Sequence, residues 1–131
     1  MRRSLAALLV LGACASPPTT PGPAEVMDRA TLFGRSLRAA QACGVDLPTA
    51  AQDRAARIEA AASGLKQREG GTVDRDAFLA SLLPPRQRAR ARATWCRTQA
   101  QDISRTREWL TGPEAEAFVR GAEALALPAG R

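Results

Sequence analysis

The sequence predicts a small all-α protein, folded as a disulfide-linked bundle of four to five helices behind a signal peptide and a Pro-rich tether. Three observations support this class: the chain has 131 residues, 28 of them are Ala, and Val and Ile together number only seven. A chain of this length fits one domain. A composition rich in Ala and Arg and poor in β-branched residues favours helix over sheet.

The first residues have the layout of a secretory signal peptide. Arg2 and Arg3 form a positive start, and an uninterrupted apolar run follows over 5–11. That run is much shorter than the roughly 20 residues that a permanent membrane-spanning helix needs. We therefore expect residues 1–13 to be a signal peptide that is removed.

The residues Leu11-Gly12-Ala13-Cys14 resemble the lipobox of bacterial lipoproteins. This resemblance implies cleavage before Cys14, a diacylglycerol on its thiol and a further acyl chain, such as palmitate, on the new amine. The alternative is an ordinary signal peptide that is cut elsewhere, for example after Ala15. Ala15 also stands where Asp favours inner-membrane retention in some lipoproteins, so the resemblance implies the outer membrane, with the domain facing the periplasm.

A tether is expected over 14–24, between the acyl chains and the folded domain. Residues 15–24 contain four Pro and one Gly, which favours an extended chain. At about 3 Å per residue this segment could hold the domain about 30 Å from the lipid. The helical domain is then predicted over 25–131.

Apolar residues recur at intervals of three and four along five stretches, as in helices that bury one face. The predicted helices cover about 25–43, 49–62, 74–83, 86–110 and 114–126. Pro23 suits the first turn of the first helix, and Gly44 suits its end. Gly64 is expected to end the second helix before a polar loop over 65–71. Because Ala buries little area, the predicted core is thin.

The longest predicted helix, 86–110, has one apolar stripe. Its members are Ala89, Ala93, Cys96, Ala100, Ile103 and Leu110. Trp95 and Trp109 are fourteen residues apart and fall on one side of this helix, next to the stripe. Two interpretations remain open for them: packing at the edge of the core, or an exposed aromatic ledge that binds a peptide or glycan.

Cys43 and Cys96 remain as an even pair once Cys14 is assigned to lipid. In an oxidising compartment such a pair predicts a structural disulfide. The alternatives are two buried free thiols or a reactive thiol. The long separation and the absence of His both argue against a redox or nucleophilic pair.

The densest run of positive charge lies at the start of the longest helix. Its members are Arg86, Arg88, Arg90, Arg92 and Arg97. They form either a patch for an anionic partner or an ordinary solvated face, since 18 of the 19 basic residues are Arg. Without Arg2 and Arg3 the chain has 17 basic and 13 acidic residues, a net charge of +4. No nucleic-acid motif is present, and nucleic acid is not expected as a partner.

No catalytic group, metal or cofactor is predicted. The absence of His excludes imidazole catalysis and His-containing metal sites. The stretch 70–78 resembles the second half of a calcium-binding loop. In the first half, however, Lys66 and Arg68 occupy positions where carboxylate ligands are needed. Asp102, Glu114 and Glu116 are the nearest approach to a carboxylate group, and the two Glu suit the first turn of a helix.

We therefore expect a non-enzymatic accessory lipoprotein that binds a protein or another envelope component. In plan (lipid, tether, compact helices and one bridge) the chain resembles secretin pilotins. This resemblance implies a chaperone for an outer-membrane secretion component, which needs a groove lined by Leu or Phe. A third possibility is a small glycan-binding or glycan-cleaving protein; cleavage needs two carboxylates about 5 to 9 Å apart in a cleft. The oligomeric state stays open.

Overall fold

The computed structural model describes residues 20–128, and this part of the chain is all-α. It forms four helices, α1 (Pro23–Ala42), α2 (Thr49–Ser81), α3 (Ala89–Thr111) and α4 (Ala115–Ala126). The predicted all-α class is confirmed, and four helices fit the predicted bundle. The predicted signal peptide 1–13 and Cys14 lie outside the described residues.

Both ends of α1 follow the predicted signals. Pro23 occupies the first turn, where its missing N–H costs no hydrogen bond. At the other end Gly44 has a φ of 69°, in the left-handed region that favours glycine. The N–H of Val45 then donates to the carbonyl of Ala40 at 2.8 Å. This closing hydrogen bond is the Schellman pattern expected after a glycine stop.

α2 replaces two predicted helices, and the loop predicted over 65–71 is wrong. The helix runs through Gly64, because tertiary contacts outweigh the low helix propensity of Gly. A Cβ at Gly64 would lie 3.7 Å from the Cβ of Ala126, so Gly64 sits at the contact with α4. One turn later, Arg68 donates to the Leu127 carbonyl at 3.0 Å. These contacts keep 65–70 helical.

The interruption in α2 occurs at Gly71, which ends the predicted loop. Its φ of 75° and ψ of −162° are not helical. This conformation is essentially restricted to glycine. α2 is therefore two helical segments joined at Gly71, and the second segment carries the buried Phe78.

α3 begins three residues later than predicted: residues 84–88 are not helical, and Arg88 at the N-terminal cap is extended. Its first buried residue is Ile103, so the first half of the predicted apolar stripe is wrong. Cys96 is bonded at the end of α1, and the residues of α3 before it extend beyond that end. Thr106 lies on the buried face together with Ile103 and Leu110. We call residues 86–97 the arginine arm.

The core is thin, as predicted. Nine of the 19 buried apolar residues in the described chain are Ala. The main cluster joins α1, α2 and α4 to the last turns of α3, around Phe33, Ile58 and Leu110. A smaller cluster near the bridge contains Ala39, Ala40, Leu47 and Ile103.

Ion pairs supplement the core between α2 and α4. Arg57 donates to Glu123 at 2.7 Å and to Glu116 at 3.2 Å. Arg54 donates to Glu116 at 3.3 Å and to the Leu110 carbonyl at 2.7 Å. The hydrogen bond from Arg54, followed by that from Arg57, lowers the pKa of Glu116. The hydrogen bond from Arg57 lowers the pKa of Glu123.

α1 and α3 run antiparallel, which gives the bundle two distinct ends. At one end Arg29 of α1 lies 4.3 Å from the ring centroid of Trp109. At the other end Cys43 is bonded to Cys96, with Cα atoms 5.8 Å apart. Pro21 lies just before α1 and is buried against Gly121 of α4. The end of the bundle that contains Pro21 is called the tether end. The end that contains the bridge is called the far end.

Candidate functional site

A solvent-exposed cleft lies between α1, the turn after α2 and α3. Its volume is about 550 Å³, within the range of ligand-binding clefts. The residues that give it apolar character are Leu32, Leu82, Leu83, Pro84, Pro85 and Trp95. Three separate elements thus supply one concave, partly apolar surface.

The turn after α2 forms the middle wall of the cleft, and two contacts fix its position. Leu82 is buried against α1, where a Cβ at Gly34 would lie only 2.8 Å from its Cδ1. Arg35 donates from Nε to the carbonyl of Ser81 at 3.2 Å, which satisfies one backbone group at the helix end. Because Leu82 points inward, Leu83 is left facing solvent.

The cleft exposes large apolar side chains that a small helical protein would normally cover. Leu32 is 44% exposed and Leu83 is 64% exposed. They are two of the four large apolar residues that are exposed in the described chain, and the other two, Val73 and Leu127, do not line this cleft. Concentrated apolar exposure beside polar residues is typical of a binding surface.

The arginine arm has no carboxylate partner in the described chain, whereas five arginines elsewhere do. Within residues 20–128, Arg29, Arg38, Arg54, Arg57 and Arg75 all form ion pairs. No such ion pair includes a residue of 86–97 in the described chain. The five arginines of the arm are all exposed. The sequence 86–101 contains no Asp or Glu.

The arm presents its arginines on more than one surface. Arg86 and Arg88 precede the helix, with Arg88 at the cap position. Arg92 lies three residues before Trp95 and therefore shares the side of α3 that lines the cleft. Arg90 and Arg97 are seven residues apart on the opposite, outward side. The structure thus spreads the predicted patch over different sides of α3, and none of the five arginines lines the cleft.

Two carboxylates line the cleft, and their proximity was not predicted from the sequence. Asp28 is on α1 and Asp102 is on α3; both are exposed and line the same cleft. Among the described residues neither carboxylate takes part in a side-chain hydrogen bond or an ion pair. The spacing of Asp28, Leu32 and Arg35 along α1 places all three on one helix face. That spacing is the signal that could have identified this wall.

The two other carboxylates named from the sequence do not contribute to the cleft. Glu116 pairs with Arg54 and Arg57, as described above, and acts in the contact between α2 and α4. Glu114 is an exposed residue at the start of α4. Neither is brought near Asp102 by a described contact.

Cys43 and Cys96 form the predicted disulfide, with a sequence separation of 53 residues. Both Trp residues are half-buried at core edges. Trp109 packs against Phe33 and Phe118, with ring centroids 4.9 and 5.4 Å apart. Trp95 packs on the small cluster near the bridge and also lines the cleft. The bridge and Trp95 together hold the arm beside the cleft.

The cleft combines apolar side chains with charges of both signs, those of Asp28, Arg35 and Asp102. From residue 20 to residue 128, no group of three or more Cys, Asp or Glu could hold a metal ion. Over the same residues, no helix is both long enough and apolar enough to cross a membrane.

No protein-family model matches the sequence, and no curated protein and no solved structure matches it either.

Proposed function

We propose that this protein is a non-enzymatic accessory lipoprotein of the bacterial envelope, and that its cleft binds a segment of another envelope protein. The single observation that supports binding is the exposure of Leu32 and Leu83 in one cleft. A partner that covers these side chains would gain about 25 cal/mol for each Å² of apolar surface removed from water.

The proposed anchor is an acylated Cys14, which would hold the domain at the outer membrane on its periplasmic side. Two or more acyl chains are needed for stable anchoring. Because Pro21 is buried against α4, the chain between Cys14 and the packed domain is six residues long, 15–20. Six residues span at most about 20 Å. The bundle would therefore work close to the bilayer surface.

Site-specific photo-crosslinking in intact cells tests the proposed binding. A photoreactive phenylalanine analogue is placed at Leu32, at Leu83 or, as a matched control, at Val73, which is 77% exposed but outside the cleft. We expect the first two positions to capture the same segment of the same envelope protein, as identified by mass spectrometry, and Val73 to capture none of it. Equal capture at all three positions would contradict the proposal.

The anchor is tested separately with Cys14→Ala. We expect this variant to leave the membrane fraction, or to remain unprocessed, and to lose the crosslinks formed at Leu83. The control is Ala15→Ser, which leaves the thiol in place and should still yield acylated, membrane-bound protein. A mature Cys14→Ala protein that stays in the membrane pellet would contradict lipidation at this residue.

A more specific candidate is a pilotin-like chaperone for an outer-membrane secretion component. The Leu-lined cleft favours it, because such a chaperone holds an apolar segment of its client. The two functions differ in what happens to the crosslinked partner when this protein is deleted. A chaperone's client would no longer reach the outer membrane, whereas the partner of an accessory protein would keep its location.

A further inference from the structure

The positive charge of the protein is concentrated in the arginine arm. The arm, residues 86–97, has five arginines and no Asp or Glu, so its charge is +5. The remainder of the described chain, 20–85 and 98–128, contains eleven basic and thirteen acidic residues, a net charge of −2. A general preference of the chain for Arg would spread the positive charge evenly. The arm is therefore a local positive feature, which attracts an anionic partner.

The helical part of the arm is exposed on every side. Each residue from Arg88 to Thr94 is exposed to solvent. Residues 89–94 are helical, and successive residues of a helix differ by about 100° in direction, so these residues cover the whole circumference of α3. Three of them are Ala, which leaves the helix thin between its arginines. A partner can therefore approach this part of α3 from any side.

The guanidinium groups of the arm make few contacts within the protein. Arg97 donates to the hydroxyl of Thr94 at 3.1 Å, which is an uncharged acceptor. The other four arginines of the arm form no side-chain hydrogen bond and no ion pair with residues 20–128. By contrast, Arg35 and Arg68, which also lack a carboxylate partner in this part of the chain, donate to backbone carbonyls. The donors of the arm therefore remain available to an anionic partner.

The distribution of the arginines favours an acidic polypeptide over a membrane. Arg90 and Arg92 are two residues apart, so they point about 200° apart around the helix axis. A flat bilayer can contact only one of these two sides at a time. Helices that bind a bilayer surface also insert large apolar side chains, whereas the exposed large apolar residues of the described chain all lie outside the arm. A polypeptide, unlike a bilayer, can curve around the helix.

We propose that the arginine arm is a second binding site, separate from the cleft, and that its ligand is an acidic polypeptide segment that curves around 88–94. A helix with its side chains has a diameter of about 10 Å and hence a circumference of about 31 Å. About ten extended residues span that length. Because Arg pairs with a carboxylate through two parallel hydrogen bonds, Asp or Glu residues along such a segment meet arginines on different sides of the helix.

A fluorescently labelled peptide of ten glutamates tests this proposal on the purified protein. We expect fluorescence anisotropy to show binding at low ionic strength, and added salt to weaken it. The corresponding peptide of ten glutamines has the same length without the charge and should bind at least tenfold more weakly. No binding of the glutamate peptide at millimolar concentration, or equal binding of the two peptides, would overturn the proposal.

Two triple variants with the same loss of charge locate the peptide. The arm variant should lose at least tenfold in affinity for the glutamate peptide; it combines Arg88→Gln, Arg90→Gln and Arg92→Gln. The control should lose less than threefold, because it removes three charges from exposed positions outside the arm that also lack ion pairs in the described chain; it combines Arg105→Gln, Arg107→Gln and Arg120→Gln. Equal losses in the two triple variants would mean that only net charge matters, and would overturn the proposal.

Two single variants test whether the peptide curves around the helix. Arg90→Gln and Arg92→Gln remove charge from nearly opposite sides of α3, so each should weaken binding of the glutamate peptide about two- to threefold. A change of affinity in only one of them would mean that the peptide contacts one side, and would overturn the curved arrangement.

Vesicles of phosphatidylglycerol and phosphatidylcholine test the alternative partner. We expect the parent protein and the arm variant to sediment with these vesicles to the same extent. If the arm variant sediments less than the parent, the arm binds a membrane and the proposal is overturned.

A cleft variant separates this proposal from the proposed function. Leu83→Ser alters the cleft without changing its charge, so it should change binding of the glutamate peptide less than twofold. Loss of that binding in Leu83→Ser would place the peptide in the cleft and overturn the proposal of a second site. The photo-crosslinks at Leu32 and Leu83, which test the proposed function, do not depend on this result.

Discussion

Cys43 at the end of α1 is bonded to Cys96, seven residues before Ile103, the first buried residue of α3. The bridge therefore attaches a part of α3 that the core does not hold. Apart from the bridge, the half-buried Trp95 is the one residue before Ile103 on α3 that packs against the small cluster within residues 20–128. The bridge and the packing of Trp95 therefore hold the arm and this wall of the cleft.

Replacing the bridge by Cys43→Ala with Cys96→Ala should destabilise the whole domain and release the arm selectively. Closing a loop across a sequence separation of 53 residues contributes about 4 kcal/mol in the chain-entropy model. In urea denaturation we expect a loss of this order. In hydrogen exchange, amides of 90–101 should lose protection well before those of 103–111. Equal loss along all of α3 would contradict this account of the arm.

Two glycines of α2 should respond to Ala in opposite directions. Gly71 has a φ of 75°, so Gly71→Ala forces a side chain into a region that costs about 1–3 kcal/mol. Gly64 is helical, and a Cβ there meets Ala126 at 3.7 Å, an ordinary contact. Gly64→Ala should stabilise the domain by about 0.5–1 kcal/mol. The midpoints of urea unfolding check both signs, and a shift of both variants in the same direction would be the contrary result.

These glycines show how far local sequence rules extend. The stop at Gly44 was predictable, because the chain turns there without competing tertiary contacts. Gly64 gives the same local signal, but its packing against Ala126 and the contacts of Arg68 with the end of α4 continue the helix. Which glycine ends a helix is decided by distant parts of the chain, and spacing within one segment does not contain that information.

The cleft was harder to predict than the fold for a similar reason. The bridge followed from counting Cys, and the thin core followed from the Ala content. The middle wall of the cleft forms because Leu82 points inward and Leu83 points outward. Gly34 on α1 leaves room for Leu82, since a Cβ there would lie 2.8 Å from the Leu82 Cδ1. The apolar stripe predicted along all of α3 would be buried only if a neighbouring helix packed along its full length. α1, however, ends level with Cys96. Both features depend on where helices end relative to one another.

Arg29 should stabilise the tether end by covering the aromatic cluster. Its guanidinium carbon lies 4.3 Å from the centroid of Trp109 and 5.3 Å from that of Phe118. Arg29→Ala removes this cation–π contact and uncovers both rings, so we expect a loss of about 1–2 kcal/mol and a red shift of Trp emission. Arg105→Ala, an exposed residue without an ion pair in the described chain, is the control and should change neither. Unchanged emission from Arg29→Ala would contradict the contact.

The ion pairs between α2 and α4 should make stability depend on pH in the acid range. The pKa of Glu116 is lowered by Arg54 and then Arg57, and the pKa of Glu123 is lowered by Arg57. A lowered folded pKa contributes stability above the unfolded pKa, about 4.3 for Glu, and this contribution is lost as pH falls through the folded value. Glu116→Gln with Glu123→Gln should therefore be less stable than the parent at pH 7, and the two should converge below about pH 4. Because both carboxylates are about two-fifths exposed, added salt should also reduce the difference.

Glu69→Gln with Glu108→Gln is the control: it removes the same charge from exposed positions, and its stability should differ less from that of the parent at pH 7. A constant difference between pH 7 and pH 3 in urea midpoints would refute the role of these pairs.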